Sequence, residues 1–206
     1  HDDIKMELDK LISRIKSQGH KINYINLPLL DYLVPSYYIL TTAEASSNLS
    51  RYDGIKYGFQ KEENNLDSLI KKTRTIGFGP EVKRRILLGT FVLSHGYYDS
   101  YYSKAQKIRR LIKNETQNIL SANDYILLPT TPNLPFKLGE KNLTPTQLYY
   151  EDVFTVHANL SGHPAISFPL GRVENNFFAS AQLIGNYFAE SDLLSITQNI
   201  FLDSEI

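Results

Sequence analysis

The chain has 206 residues, 42% of them hydrophobic, which is enough to bury a sizeable core and few enough for one domain. Its 22 basic and 22 acidic side chains cancel, so no global field draws it to nucleic acid or an anionic membrane, and any such contact has to be local. Cysteine is absent, which excludes disulfides, thiolate nucleophiles and cysteine metal sites and fits a reducing, cytoplasmic compartment.

Ile4, Leu8, Leu11, Ile12 and Ile15 recur at helical spacing behind an aspartate cap, and Gly19 stops the pattern. Residues 21–27 alternate Ile22, Tyr24 and the pair Ile25/Leu27 with polar side chains before Pro28, which predicts a strand. Residues 36–50, 66–75, 80–95 and 98–120 carry helical character. Residues 125–129 read as a short, fully apolar strand that ends in a loop rich in Thr and Pro, where a functional rim often sits. Two more strands are predicted at 165–169 and 177–184, and an amphipathic helix at 190–202. The longest apolar run, 86–93, falls well short of the roughly 18 residues of a spanning helix, so a soluble protein is expected. The only plausible linkers, 60–65 and 137–143, are too short to separate domains, and the expectation is a single α/β domain.

Most familiar catalytic constellations fail on spacing. Ser46 and Ser47 lie inside a predicted helix, without the Gly-flanked turn that exposes a nucleophilic serine, and read as small packing residues. His157 and His163 are six residues apart with no carboxylate at helical spacing, so they read as structural or surface histidines and no metal is expected. Ser94, His95 and Asp99 are neighbours on one predicted helix and cannot converge as a triad. Lys104, Lys107, Arg109, Arg110 and Lys113 follow the aromatics Tyr97, Tyr98, Tyr101 and Tyr102, a pairing that can grip RNA. Ile108, Leu111 and Ile112 make that segment amphipathic, and a solvated basic face is the simpler reading. A pocket for a small zwitterion needs a guanidinium fork and a carboxylate, and Arg84 or Arg85 with Asp152 qualify by type. Spacing alone favours a structural ion pair for the arginines, with Glu44 or Glu81.

Three strings carry a resemblance: PSYYILTTAEASSNLSRYDGIKYG at 35–58, GFGPEVKRRILLGTFVLSHGYYDSYYSKAQKIRRLI at 77–112 and HANLSGHPAISFPLG at 157–171. Together with Gln182-Leu183-Ile184-Gly185 they resemble, in order and over nearly the whole chain, the C-terminal half of the amidase-signature family. Within that family the first two strings are similar to the A subunits of glutamyl-tRNA(Gln) amidotransferases. Phe178-Ala179-Ser180-Ala181-Gln182 departs from the more usual Pro-Ile-Gly-Leu-Gln pattern, which touches local packing rather than substrate class.

The resemblance implies a mixed β-sheet flanked by helices, present here only in part, with residues 1–206 forming the C-terminal portion of one domain. It also implies an enzyme that hydrolyses glutamine and passes ammonia to a B subunit, with a C subunit in the complex. That complex amidates misacylated glutamyl-tRNA, or aspartyl-tRNA(Asn), using ATP and magnesium. The family's catalytic lysine and two serines have no counterpart here, so the chain alone is expected to be inactive. The substrate side is expected to remain: Tyr37 at the pocket wall, Arg85 for the glutamine α-carboxylate and Asp152 for its α-amino group. Tyr38 and Arg84 stand as the adjacent alternatives. A different amidase-signature hydrolase, or a stand-alone RNA- or protein-binding module, are the competing readings.

Overall fold

The computed structural model describes residues 1–136, 138–139, 144–173 and 177–202, so most of the predicted linker at 137–143 lies outside the described residues. The chain divides into two compact units, His1–Val34 with Arg109–Ile206, and Pro35–Ile108.

The first unit is built around a three-stranded sheet in the order β1-β3-β2, from β1 (Ile126–Pro129), β2 (Ala165–Arg172) and β3 (Phe178–Ile184). Both pairings are antiparallel, with Ile126 opposite Ile184 and Phe168 opposite Ala181. β3 is the central strand, and 181–184 are buried on both faces because helices cover each side. On one face α1 (Asp2–Ser17) sends Leu11 and Ile15, and α8 (Glu190–Leu202) sends Leu193 and Ile200, against Phe168, Ala181 and Leu183. On the other, Leu120 of α5 (Lys104–Ala122) and Ala158 of α7 (Thr155–Ser161) pack on Ile126 and Ile184. Pro169, which has no N–H to give to a ladder, sits on edge strand β2 at an irregularity in register. A short helix, α6 (Pro145–Tyr150), begins with a capping box in which Thr144 and Gln147 satisfy each other's backbone N–H groups.

The predicted strand at 21–27 does not form; residues 20–27 adopt no regular structure. A strand is stabilised by a neighbour that takes its backbone hydrogen bonds, and no strand among the described residues pairs with this one. Ile22 packs on the core, Tyr24 is 77% exposed, and Asn23 Nδ2 donates to Asn123 Oδ1 at 2.9 Å.

The second unit is helical: α2 (Leu30–Leu49) from Pro35 onward, α3 (Leu66–Gly77), α4 (Pro80–Leu93), and a π-helical turn, Tyr98–Ser103, that leads into α5. α2 begins six residues before the predicted start at 36 and carries Pro35 inside it, a position where proline removes one N–H from the helix ladder. α4 opens with Pro80 at its first turn followed by Glu81, an order that suits both the orphan N–H groups and the positive end of the helix dipole. Gly89 lets α4 touch α2: a Cβ there would stand 2.0 Å from the Thr42 carbonyl oxygen and 2.6 Å from Ser46 Cβ. Between α2 and α3, Arg74 Nη1 donates to the carbonyls of Leu49 at 2.7 Å and Tyr52 at 2.8 Å, satisfying the exposed C-terminal end of α2.

Candidate functional site

Arg84 and Arg85 lie on α4, one turn after Glu81, and both pair with it. Arg84 forms its pair at the surface, with its side chain about half exposed. Arg85 turns inward: Nε donates to Glu81 Oε1 at 3.1 Å, and the guanidinium carbon lies 5.5 Å from the centre of the Tyr38 ring. Tyr38 is buried, and Tyr37 meets it edge-on with ring centres 5.3 Å apart and planes at 89°. Helical spacing explains the pairing, since Glu81 faces positions three and four residues along the same helix. The ion pair with Glu81 that spacing alone favoured is therefore present, whereas Glu44 receives a hydrogen bond from Asn48 instead. The carboxylate and the aromatic face together orient a planar cationic fork, the arrangement that recognises a carboxylate by two parallel hydrogen bonds.

Of the two tyrosines and two arginines that sequence leaves open, the geometry joins Arg85 to Tyr38 and, through Tyr38, to Tyr37. Asp152 belongs to the other compact unit, in the turn between α6 and α7. Its carbonyl accepts from the Val156 N–H at 3.0 Å and from the Thr155 hydroxyl at 3.1 Å, so its backbone starts α7.

Ser46 is a packing residue, as its helical context predicts. Its hydroxyl lies 3.0 Å from Thr90 Oγ1, which itself donates to the Ile86 carbonyl, so Ser46 is the donor across the α2–α4 contact. Ser47 is exposed, and its carbonyl accepts from Ser50. Ser94 and His95 occupy an exposed turn after α4 rather than a helix, and the Ser94 hydroxyl donates to the Phe91 carbonyl, so no triad forms with Asp99. The basic face of α5 is exposed at Lys104, Lys107, Arg109, Arg110 and Lys113. Two of these cations have structural work: Arg109 Nε donates to the Leu160 carbonyl at 3.1 Å, and Lys113 stands 5.4 Å from the Tyr187 ring centre. The predicted wet, amphipathic helix fits this better than an RNA grip.

The histidines are more deeply placed than a surface reading allows. His157 is 3% exposed and His163 5%. His157 Nε2 lies 2.7 Å from Thr116 Oγ1, whose own proton goes to the Ile112 carbonyl, so Nε2 carries the imidazole hydrogen and Nδ1 is bare. Burial, and secondarily the nearby His163, pull the His157 pKa down from 6.5 to about 4. Burial and then Lys113 lower that of His163, whose ring stacks on Tyr187 at 4.0 Å. Spacing along the chain carries no sign of this burial, because helix α7 and the loop after β3 meet only in the fold. Among the described residues no group of three or more His, Cys, Asp or Glu is arranged to hold a metal, and no helix is long and apolar enough to cross a membrane.

Comparison with known proteins supplies the family. The amidase family model matches residues 1–194. The A subunit of the glutamyl-tRNA(Gln) amidotransferase of Campylobacter hominis is 49% identical over 97% of this chain and 44% of its own length. The protein of the same name from Pelagibacter ubique is 50% identical over 91% of this chain and 39% of its own length. The chain thus spans less than half the length of the curated relatives it matches. Among solved structures, the A subunit of the Thermotoga maritima glutamyl-tRNA(Gln) amidotransferase is 36% identical with a TM-score of 0.73, covering 100% of this chain and 40% of that one. An amidase 19% identical shares the fold, with a TM-score of 0.72 over 95% of this chain and 41% of its own. These matches agree with the expected α/β architecture and with the three strings of residues that resemble amidase-signature enzymes, and the chain belongs to the amidase family.

Proposed function

We propose that the chain is the C-terminal, substrate-recognition portion of a single amidase-signature domain, in the glutamine-hydrolysing A subunit of a cytoplasmic tRNA-dependent amidotransferase. The observation that carries this reading is the identity of about half the residues, over nearly the whole chain, to proteins named as that subunit. In the complete enzyme, ammonia released from glutamine passes to a B subunit that amidates glutamyl-tRNA with ATP and magnesium, with a C subunit completing the assembly. Arg85 takes the glutamine α-carboxylate, Tyr37 stands at the pocket wall and Asp152 takes the α-amino group, as the resemblance assigns them. The oriented Arg85 fork supports the first assignment, since Glu81 and Tyr38 set its plane before substrate arrives. An amidase for aryl or lipid amides gains nothing from such a cation, because an apolar substrate carries no carboxylate for the guanidinium to recognise.

The test is glutamine hydrolysis by the full-length subunit in its complex. Arg85→Ala is expected to raise the KM for glutamine on the order of 100-fold, the loss of a charge-assisted pair of hydrogen bonds, while Arg84→Ala stays within about twofold. Unchanged glutamine kinetics in Arg85→Ala would overturn the assignment. The 206-residue chain alone is expected to hydrolyse no glutamine, and turnover by it would refute the reading as a portion of the enzyme.

A further inference from the structure

His157 and His163 take no part in the proposed recognition of glutamine, yet both are almost wholly buried. Each ring has one polar partner on α5: His157 Nε2 meets Thr116 Oγ1 at 2.7 Å, and His163 Nε2 meets Gln117 Oε1 at 3.4 Å. The Nδ1 atom of each is buried and has no hydrogen-bond partner among the described residues. A neutral imidazole tolerates this, because a bare Nδ1 only forgoes a bond. An imidazolium does not, since protonation turns Nδ1 into a buried donor with nothing to receive it.

The surroundings make the added charge worse. From α5, Lys113 raises the positive potential at His163, and Arg109 is held by the Leu160 carbonyl in the last turn of α7. From the loop after β3 comes Tyr187, its ring stacked on His163 and its hydroxyl donating to the Ser161 carbonyl at 2.9 Å. The two histidines also face each other's field. Among the described residues no carboxylate lies within ion-pair distance of either ring. What these contacts hold together is one short segment: α7, the left-handed Gly162 that ends it at φ 80°, and the start of β2.

We propose that the His157–Thr116 and His163–Tyr187 contacts form a proton-operated latch, which holds α7 and the turn into β2 against α5 while both rings are neutral and releases them when the pair is protonated. The latch stands on the burial and bonding of the pair and is independent of the glutamine reading. Opening exposes both rings to water, so protons favour the open form, and for His157 the window begins near the ordinary histidine pKa and extends down to about 4.

Amide hydrogen exchange of the full-length protein at pH 7 and pH 5 tests this, with each rate normalised to that of an unstructured amide. For His157 alone, the protection of α7 is expected to fall about twentyfold relative to that of α1. In the double variant His157→Gln and His163→Gln, which keeps a side-chain N–H for Thr116 and cannot be charged, α7 protection is expected to be the same at both pH values. Equal loss in α1 and α7, or selective loss that persists in the double variant, would overturn the latch. If the double variant does not fold, the ring resonances of the unsubstituted chain decide. Titration of both rings only as α7 opens supports the latch, and titration of either near pH 6 with α7 still protected overturns it.

Discussion

Gly89→Ala measures how closely α2 and α4 approach, and its effect follows from the geometry. The added methyl carbon would lie 2.0 Å from the Thr42 carbonyl oxygen, 2.6 Å from Ser46 Cβ and 2.7 Å from the Thr42 carbonyl carbon. Two of these three atoms are backbone, so no side-chain rotation relieves the clash, and α4 must move away by more than about 1 Å to reach ordinary contact distance. Overpacking of this kind costs about 1–3 kcal/mol or more. The displacement also breaks the hydrogen bond between Ser46 and Thr90, worth about 1 kcal/mol, while the better helix propensity of alanine returns about 1 kcal/mol. The net expectation is a loss of about 1–3 kcal/mol, read as a fall of roughly 0.5 M or more in the urea midpoint by far-UV circular dichroism. Gly79→Ala is the control, because its φ is −68° and its Cβ would meet nothing within 4 Å; its midpoint is expected to shift by less than half as much. A Gly89→Ala chain as stable as the parent, or more stable, would refute the close approach of the two helices.

Acid should weaken the fold through His157. Its folded pKa lies below its unfolded value, so the unfolded chain binds more protons in between, and the stability present above about pH 6.5 is lost as pH falls toward about 4. The difference amounts to about 3 kcal/mol, and His157→Gln should remove that part of the pH dependence when urea midpoints at pH 7.5 and 4.5 are compared; an unchanged slope would contradict the assignment. Arg74→Ala should cost about 1–3 kcal/mol, since it strips both the Leu49 and Tyr52 carbonyls of a charged donor, and Arg74→Lys should recover less than half of it. A melting temperature unmoved by Arg74→Ala would show that water satisfies the end of α2 equally well.

Helix periodicity was legible in the longer helices: α1 and α8 lie where Leu11, Ile15, Leu193 and their neighbours predict them, and α3 and α4 lie near their predicted bounds, whereas the short helices α6 and α7 were not predicted. The three strands of the sheet were equally plain, because their apolar runs are short and bounded by Pro, Gly and Asn. Residues 21–27 have the alternation of a strand and remain irregular, since alternation describes a half-buried surface and only a partner strand makes it a ladder. The start of α2 was missed for the opposite reason: Pro35 signals a boundary locally, yet the helix tolerates one missing hydrogen bond.

The candidate site divides in the same way. Glu81, Arg84 and Arg85 could be paired on spacing alone, because i to i+3 and i+4 contacts are a property of the helix. Which arginine turns inward, and which tyrosine it lies against, was decided by packing: Tyr38 is buried and offers its face to Arg85, while Arg84 remains at the surface. The histidines show the limit most clearly. By itself the amino-acid sequence determined the family, the three strands of the sheet and the longer helices, since these reside in local pattern and residue identity. Only the tertiary structure buried His157 and His163 beside Thr116 and Tyr187, because burial depends on residues 41 positions apart in one case and on a loop beyond β3 in the other.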